Sequence, residues 1–145
     1  MANFTLRKAS ESDFAFIKQL VKDSNINPFG LSWERFIVAE SAGEFVGCGQ
    51  LKPHGDGSVE LASLAVLPKY RGQGVAVLLI NHLIATGPRP LYLTCRSELR
   101  SFYEKYNFRV LATDEMTPYF RRLYRFASIF IKFVPNEHSS MTLWP

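Results

Sequence analysis

The chain has 145 residues, 47% of them hydrophobic, with 17 Lys and Arg against 13 Asp and Glu for a formal net charge of +4. That length and apolar share suit one sizeable core and leave little room for a second, so residues 1–145 are expected to form a single domain. The positive balance, with a pI near 9.2, suits a polyanionic ligand. Nucleic acid is disfavoured, because the basic residues are scattered and no helix-turn-helix, zinc-finger or RNP-type aromatic signature is found.

From the N-terminus, Asn3 to Lys8 alternates as a strand does. Ser10-Glu11-Ser12-Asp13 has the form of a capping box, and Phe14, Ile17, Leu20 and Val21 then recur at helical spacing as a core-facing stripe. Asn25 to Gly30 closes that helix. A loop or short helical turn around Leu31 to Glu34 leads to two strands, Arg35 to Ser41 and Glu44 to Lys52, joined tightly at Ala42-Gly43 as a hairpin. Pro53-His54-Gly55-Asp56-Gly57 is a second turn. It opens into a strand from Val59 to Leu67, where Leu61, Ala62, Leu64, Ala65, Val66 and Leu67 are apolar on both faces, as in a strand covered on two sides.

After the glycine turn Arg71-Gly72-Gln73-Gly74-Val75-Ala76, a helix places Val75, Leu78, Leu79, His82 and Leu83 on one face and stops at Gly87-Pro88. Leu91 to Thr94 follows a helical crossover and should run parallel to the strand before it, one βαβ unit in an otherwise antiparallel sheet. A further helix carries Leu99, Phe102, Tyr103 and Tyr106, Asn107 suits a left-handed cap, and Phe108 to Ala112 is the next strand. Thr117-Pro118 reads as an N-cap followed by proline at the first helical position, with the helix running to about Phe133. Arg121, Arg125, Ser128 and Lys132 form its narrow polar stripe. Packing on the sheet accounts for the apolar remainder; a homodimer contact, a membrane-surface patch and a lid are the other readings. Ser140 to Trp144 is a terminal strand.

The glycine turn is suited to an anion. Gly72 and Gly74 tolerate dihedrals that a Cβ forbids, and they sit where the first N–H groups of a helix are unpaired at the positive end of its dipole. A P-loop is excluded, because no Lys-Ser or Lys-Thr follows either glycine. A Rossmann fingerprint fits poorly, because Val77 stands where its third glycine belongs and Pro68 to Arg71 separates the strand from the turn. The pattern [RQ]-x-x-G-x-[GA] does fit, as Arg71, Gly74 and Ala76 behind Leu64 to Tyr70. In these residues, and in Phe102-Tyr103-Glu104-Lys105-Tyr106-Asn107-Phe108, the chain closely resembles the GNAT superfamily of N-acetyltransferases.

The resemblance covers most of the chain in element order. It implies an α/β (α+β) fold, with a central mixed, mostly antiparallel sheet flanked by helices, a splayed parallel strand pair and here an extra C-terminal helix. It implies acetyl-CoA as cosubstrate. Backbone groups of Leu64 and Val66, with Ala65 between them, would meet the pantetheine arm, and Arg71, Gly72, Gln73, Gly74, Val75 and Ala76 would surround the pyrophosphate. Arg96 departs from the family, which often has Asn seven positions before the tyrosine, so the resemblance does not carry that cofactor contact over.

Acetyl transfer to an amine needs a polarised carbonyl, a deprotonated amine, and a protonated leaving thiolate. A backbone N–H near Leu64 could polarise the carbonyl. Glu60 is the only carboxylate on the central strand, and it aligns with a glutamate that is a base in part of the superfamily. Tyr103 falls where the family often places a tyrosine beside the CoA sulfur, as acid and cofactor contact.

Cys95 reads as a buried thiol rather than an acyl carrier. Cys48 and Cys95, the only cysteines, have no CxxC or metal spacing, and His54, His82 and His138 have no ligand spacing, so no metal is expected, although any of the three could assist the amine. The N-terminus lacks a signal-peptide pattern and no apolar run could span a bilayer, which points to a soluble, cytoplasmic protein. The acceptor, a small-molecule or protein amine, carries no recognisable code. A non-catalytic acyl-CoA sensor and an NADP-binding fold are the rival classes.

Overall fold

The computed structural model describes residues 2–130 and 138–143, with side chains through residue 125 and again at 141–142. The chain divides into two units, one of Met1–Lys52 with Leu61–Gly87 and one of Pro53–Glu60 with Pro88–Pro145.

In the first unit, β1 (Phe4–Lys8) pairs antiparallel with β2 (Phe36–Ser41), and β2 with β3 (Glu44–Pro53). Ala42 and Gly43 between β2 and β3 have φ of 48° and 80°, the two positive values that a type I′ hairpin requires. β4 (Val59–Val66) enters this unit at Leu61. On one face, α1 (Phe14–Asp23) buries Ile17, Leu20 and Val21 against Phe36, Val38, Cys48 and Ala65. On the other, α2 (Val75–Thr86) buries Val75 and Leu79 against Ala39, Val46 and Val66. Strand alternation sends Val38 and Ala39, and likewise Ala65 and Val66, to different cores.

Two helix faces differ from the sequence expectation. A single 3-10 turn, Glu11–Asp13, precedes α1, and Asp13 Oδ2 accepts from the Ser10 N–H at 2.7 Å. Phe14 thereby falls at the rim, with Lys18 Nζ 4.5 Å from its ring centroid, while Ile17, Leu20 and Val21 are buried as expected. In α2, Leu78 is 40% exposed and Ile80 is fully buried in its place. The run Val75 to Ile80 is apolar all round, so its periodicity could not select a face.

In the second unit, β5 (Leu91–Arg96) runs parallel to β4 with Glu60 opposite Tyr92. β7 (His138–Leu143) pairs antiparallel with β5 and also with β6 (Arg109–Val110), so the last strand lies between them. Neighbour by neighbour, the strands are ordered β1-β2-β3-β4-β5-β7-β6, mostly antiparallel with the one parallel pair that the βαβ reading expected.

The strand expected over Phe108 to Ala112 shrinks to Arg109–Val110. Glu115 binds Arg109 Nη1 at 3.0 Å and the Ala112 N–H at 3.1 Å, turning the chain away. α3 (Arg100–Glu104) is barely more than one turn, so of Leu99, Phe102, Tyr103 and Tyr106 only Tyr103 is buried. Asn107 is left-handed at φ 68° as expected. α4 (Pro118–Phe130) begins at its proline, but its Tyr119 N–H is capped by Asp56 Oδ2 at 2.9 Å rather than by Thr117. The helix end at Phe133, the polar stripe beyond residue 125 and Trp144 lie outside the described residues and side chains.

Two predictions follow from the first unit. A Cβ on Gly47 would lie 2.9 Å from the Ala65 carbonyl oxygen, a backbone atom of β4, so Gly47→Ala should cost about 1–3 kcal/mol of stability in urea unfolding. An unchanged midpoint would contradict that close approach. Asp13 also binds Arg7 at 2.7 Å, and the hydrogen bond from Arg7 lowers its pKa from 3.8 to about 2 despite burial. The pair's contribution is therefore present above pH 3.8 and lost as pH falls through about 2. With Arg7 38% exposed, solvent screening limits it to about 1–2 kcal/mol. Asp13→Asn should remove that acid-dependent loss from an unfolding series, and an unchanged pH slope would argue against it.

Candidate active site

The glycine turn closes the first unit's βα connection. β4 ends at Val66, a 3-10 turn covers Pro68–Tyr70, and α2 begins at Val75. Gly72 and Gly74 have φ of 74° and 89°. A Cβ on either would meet no atom within 4 Å, so the dihedral rather than packing selects glycine. The first intrahelical bond of α2 runs from the Leu78 N–H to the Gly74 carbonyl at 3.1 Å, which leaves the N–H groups of Val75, Ala76 and Val77 ahead of the helix's own ladder. The approach to the turn is fastened on both sides. Tyr70 reaches Glu44 through its hydroxyl at 3.2 Å and meets Phe4 edge-on at 6.0 Å. Arg71 Nε donates to the Val66 carbonyl at 3.0 Å.

Along β4, Leu64 is half-buried while Ala65 and Val66 are buried. Ser63, just before them, is left-handed at φ 57°, a conformation that costs on the order of 1 kcal/mol or more in a non-glycine residue. Its side chain and carbonyl are held: Gln50 Nε2 donates to Ser63 Oγ at 2.9 Å, and Cys48 Sγ lies 3.7 Å from the Ser63 carbonyl oxygen. No glycine marks this position in the sequence, so the distortion was not foreseen.

Glu60, at the start of β4, is 7% exposed. Its two oxygens are separately engaged, Oε2 with His54 Nε2 at 2.8 Å and Oε1 with the Thr94 hydroxyl at 3.3 Å. The His54 ring stacks on Tyr119 at 3.5 Å and 14° and meets Phe120 edge-on at 5.7 Å. Asp56, in the same turn as His54, binds the Ser58 N–H and hydroxyl with one oxygen and the Tyr119 N–H with the other. Burial works against its ionisation, but these hydrogen bonds hold its carboxyl well below the usual carboxylate range. Sequence reasoning named His54 as one of three histidines that could assist the amine but did not pair it with Glu60. The available signal was the tight turn itself, since the Gly57 and His54 N–H groups bond to the His54 and Ser58 carbonyls and so fold His54 back beside Glu60.

Tyr103 is the buried residue of α3. Burial pushes its phenol up to about 12, with Cys95 and Tyr106 adding to the effect. The Cys95 thiol is itself pushed up by burial and lies 3.8 Å from Met141 Sδ, so it is an inert buried thiol. Arg96 is exposed and lies 3.3 Å from Glu98.

A cavity of about 430 Å³ is lined by Arg7, Asp13, Phe16, Asp23, Glu44 and Leu67 among others, none of them a site residue expected from the sequence. Among the described residues, no group of three or more His, Cys, Asp or Glu could hold a metal ion, and no helix is long and apolar enough to cross a membrane.

Similar folds are found among solved structures. N-acetylglutamate synthase from Neisseria gonorrhoeae, complexed with coenzyme A and N-acetyl-glutamate, aligns over 98% of this chain with a TM-score of 0.77 and 21% identity. The chain spans only 35% of that protein. Rv2747 from Mycobacterium tuberculosis, in complex with CoA, aligns over 97% of this chain and 99% of its own with a TM-score of 0.73 and 24% identity. Naa50 from Arabidopsis thaliana, in complex with the bisubstrate analogue CoA-Ac-MVNAL, aligns over 97% of each chain with a TM-score of 0.63 and 16% identity. No similar sequence was found among curated proteins. Residues 32–110, more than half of the chain and including β4, the glycine turn, α2 and Tyr103, match the family described as acetyltransferase (GNAT) domain. The chain belongs to the GNAT acetyltransferase family.

Proposed function

We propose that the protein transfers the acetyl group of acetyl-CoA to a primary amine, by direct attack of the amine on the thioester while both are bound. The observation that carries this reading is the glycine turn, where two left-handed glycines leave unpaired N–H groups at the start of a twelve-residue helix. Arg71, Gly72, Gln73, Gly74, Val75 and Ala76 are assigned to the pyrophosphate. Arg71 Nε already binds the Val66 carbonyl, which leaves the rest of its guanidinium for a phosphate oxygen. Leu64, Ala65 and Val66 are assigned to the pantetheine arm. The left-handed Ser63 re-aims the peptide that follows it, and the Leu64 N–H is assigned to the thioester carbonyl as oxyanion donor.

Glu60 lies on the same strand, four residues earlier. Amines near pKa ~10.4 are mostly protonated at neutral pH, and Glu60 is assigned to take the first proton. The nitrogen lone pair then attacks the carbonyl carbon, the C–S bond breaks, and the second proton lost by the nitrogen is balanced by the one gained by the CoA thiolate. Tyr103 is assigned as hydrogen-bond donor to that sulfur. With a pKa of about 12 it remains protonated at neutral pH, but it is a weaker acid than the ordinary phenol foreseen from the sequence. N-acetyl-glutamate and CoA-Ac-MVNAL in the similar structures support an amine acceptor, and both a small-molecule amine and a protein amine fit the reading.

Thermal unfolding with acetyl-CoA, CoA and NADPH tests the binding half. Either CoA species at one hundred times its Kd should stabilise by about 2.7 kcal/mol, NADPH should not, and Gly74→Ala should weaken CoA at least about tenfold because φ 89° strains any Cβ. The absence of a shift with both CoA species would sink the reading of the turn. Free-thiol release on a panel of amines tests the chemistry. Tyr103→Phe should lower kcat by roughly ten- to a hundredfold with little change in CoA binding, whereas CoA binding with no thiol release on any amine would favour the non-catalytic sensor.

A further inference from the structure

Nothing in the acetyl-transfer reading calls for His54, yet its ring is the most closely held group around Glu60. Its side chain is 5% exposed and that of Glu60 is 10% exposed. One imidazole nitrogen lies 2.8 Å from Glu60 Oε2, and the ring plane is fixed by stacking on Tyr119 at 14°. Tyr119 is in turn fixed by its N–H bond to Asp56, which belongs to the same turn as His54. The turn and the first residues of α4 thus hold each other, and the imidazole is clamped between them.

A carboxylate this buried is costly to ionise unless a donor compensates the lost water. From the geometry of this clamp we infer that His54 is a positioning residue, donating its Nε2–H to Glu60 Oε2 so that the carboxylate stays ionised and presents Oε1 to the acceptor amine. A carboxylate oxygen as partner selects the neutral tautomer with its hydrogen on Nε2, so the donation is the same whether the imidazole is neutral or protonated. Oε1, with the Thr94 hydroxyl 3.3 Å away as its second neighbour, is the oxygen that receives the amine proton. The titratable groups facing the pair are Asp56 from the turn, Tyr92 from β5 and Tyr119 from α4. Burial raises both phenols, with Asp56 adding to the effect at each and Glu60 at Tyr119, so they are protonated bystanders at neutral pH.

The inference rests on the acetyltransferase reading for its catalytic consequence, and its test separates the two. His54→Phe keeps a ring for Tyr119 and Phe120 to pack against while removing the donor; His54→Gln restores an N–H. The carboxyl of Glu60 is first titrated by carbon-13 NMR in all three proteins, a measurement that needs no acceptor. The carboxyl signal of His54→Phe should differ from that of the wild-type protein across the series, and that of His54→Gln should return toward it. An unchanged Glu60 titration in a folded His54→Phe protein would overturn the inference, whatever the protein's activity. With an acceptor, thiol release should show kcat lowered at least about tenfold in His54→Phe and KM for acetyl-CoA unchanged. The acidic limb of the pH profile should move to higher pH, and His54→Gln should recover part of the rate. A wild-type kcat and pH profile in His54→Phe would also overturn it. If no amine gives thiol release even with the wild-type protein, the acetyltransferase reading fails instead, and the NMR titration still decides whether His54 holds Glu60 ionised.

Discussion

A carboxylate taken out of water must be given partners, and Glu60 is the point at which that requirement shapes the second unit. Its two oxygens are met from two other elements, the 53–58 turn through His54 and β5 through Thr94, and the turn is in turn closed onto α4 through Asp56 and Tyr119. Removing one partner of such a group costs more than the pair contributes, because the remaining charge is left buried. The turn, the parallel strand pairing at Glu60 and Tyr92 and the first turn of α4 are therefore mutually dependent. The same group supplies the one buried carboxylate on β4, the strand that leads to the glycine turn.

The glycine turn obeys the opposite logic. Nothing crowds Gly72 or Gly74, and the groups that matter are backbone N–H donors left over by a helix start. What must be rigid is the approach, and it is tied down by Tyr70 to Glu44 and by Arg71 to the Val66 carbonyl. An exposed, preorganised donor array suits a ligand whose charge is large and whose solvation is only partly removed, as with a pyrophosphate. A dry, partnered carboxylate suits a proton transfer. Along β4, the left-handed Ser63 stands in the chain between Glu60 and the residues that lead into the turn.

Much of this was legible in the sequence where a residue type has one physical use. Gly72, Gly74 and Asn107 marked positive dihedrals correctly, and the helical crossover before Leu91 implied the parallel pair. Faces were harder. Leu78 and Ile80 are equally apolar, and only the packing of α2 decides between them. The insertion of β7 between β5 and β6 was invisible, because strand order is fixed by pairings distant in sequence. Of the site, Glu60 was legible as the single carboxylate on its strand. Its burial was not, because the partners that make burial tolerable, His54 and Thr94, are supplied by folding. Tyr103 was expected through resemblance, but its raised pKa is a consequence of packing.

The most direct measurement of the central claim is steady-state thiol release from acetyl-CoA with an amine acceptor, comparing the wild-type protein with Glu60→Gln across pH 6 to 10. The account predicts that Glu60→Gln binds acetyl-CoA normally but loses roughly a hundredfold or more in kcat near neutral pH. It also predicts that the loss narrows as pH approaches the pKa of the free amine, where no base is needed. A Glu60→Gln protein with wild-type turnover at pH 7 would contradict it, and would remove the buried carboxylate from the chemistry.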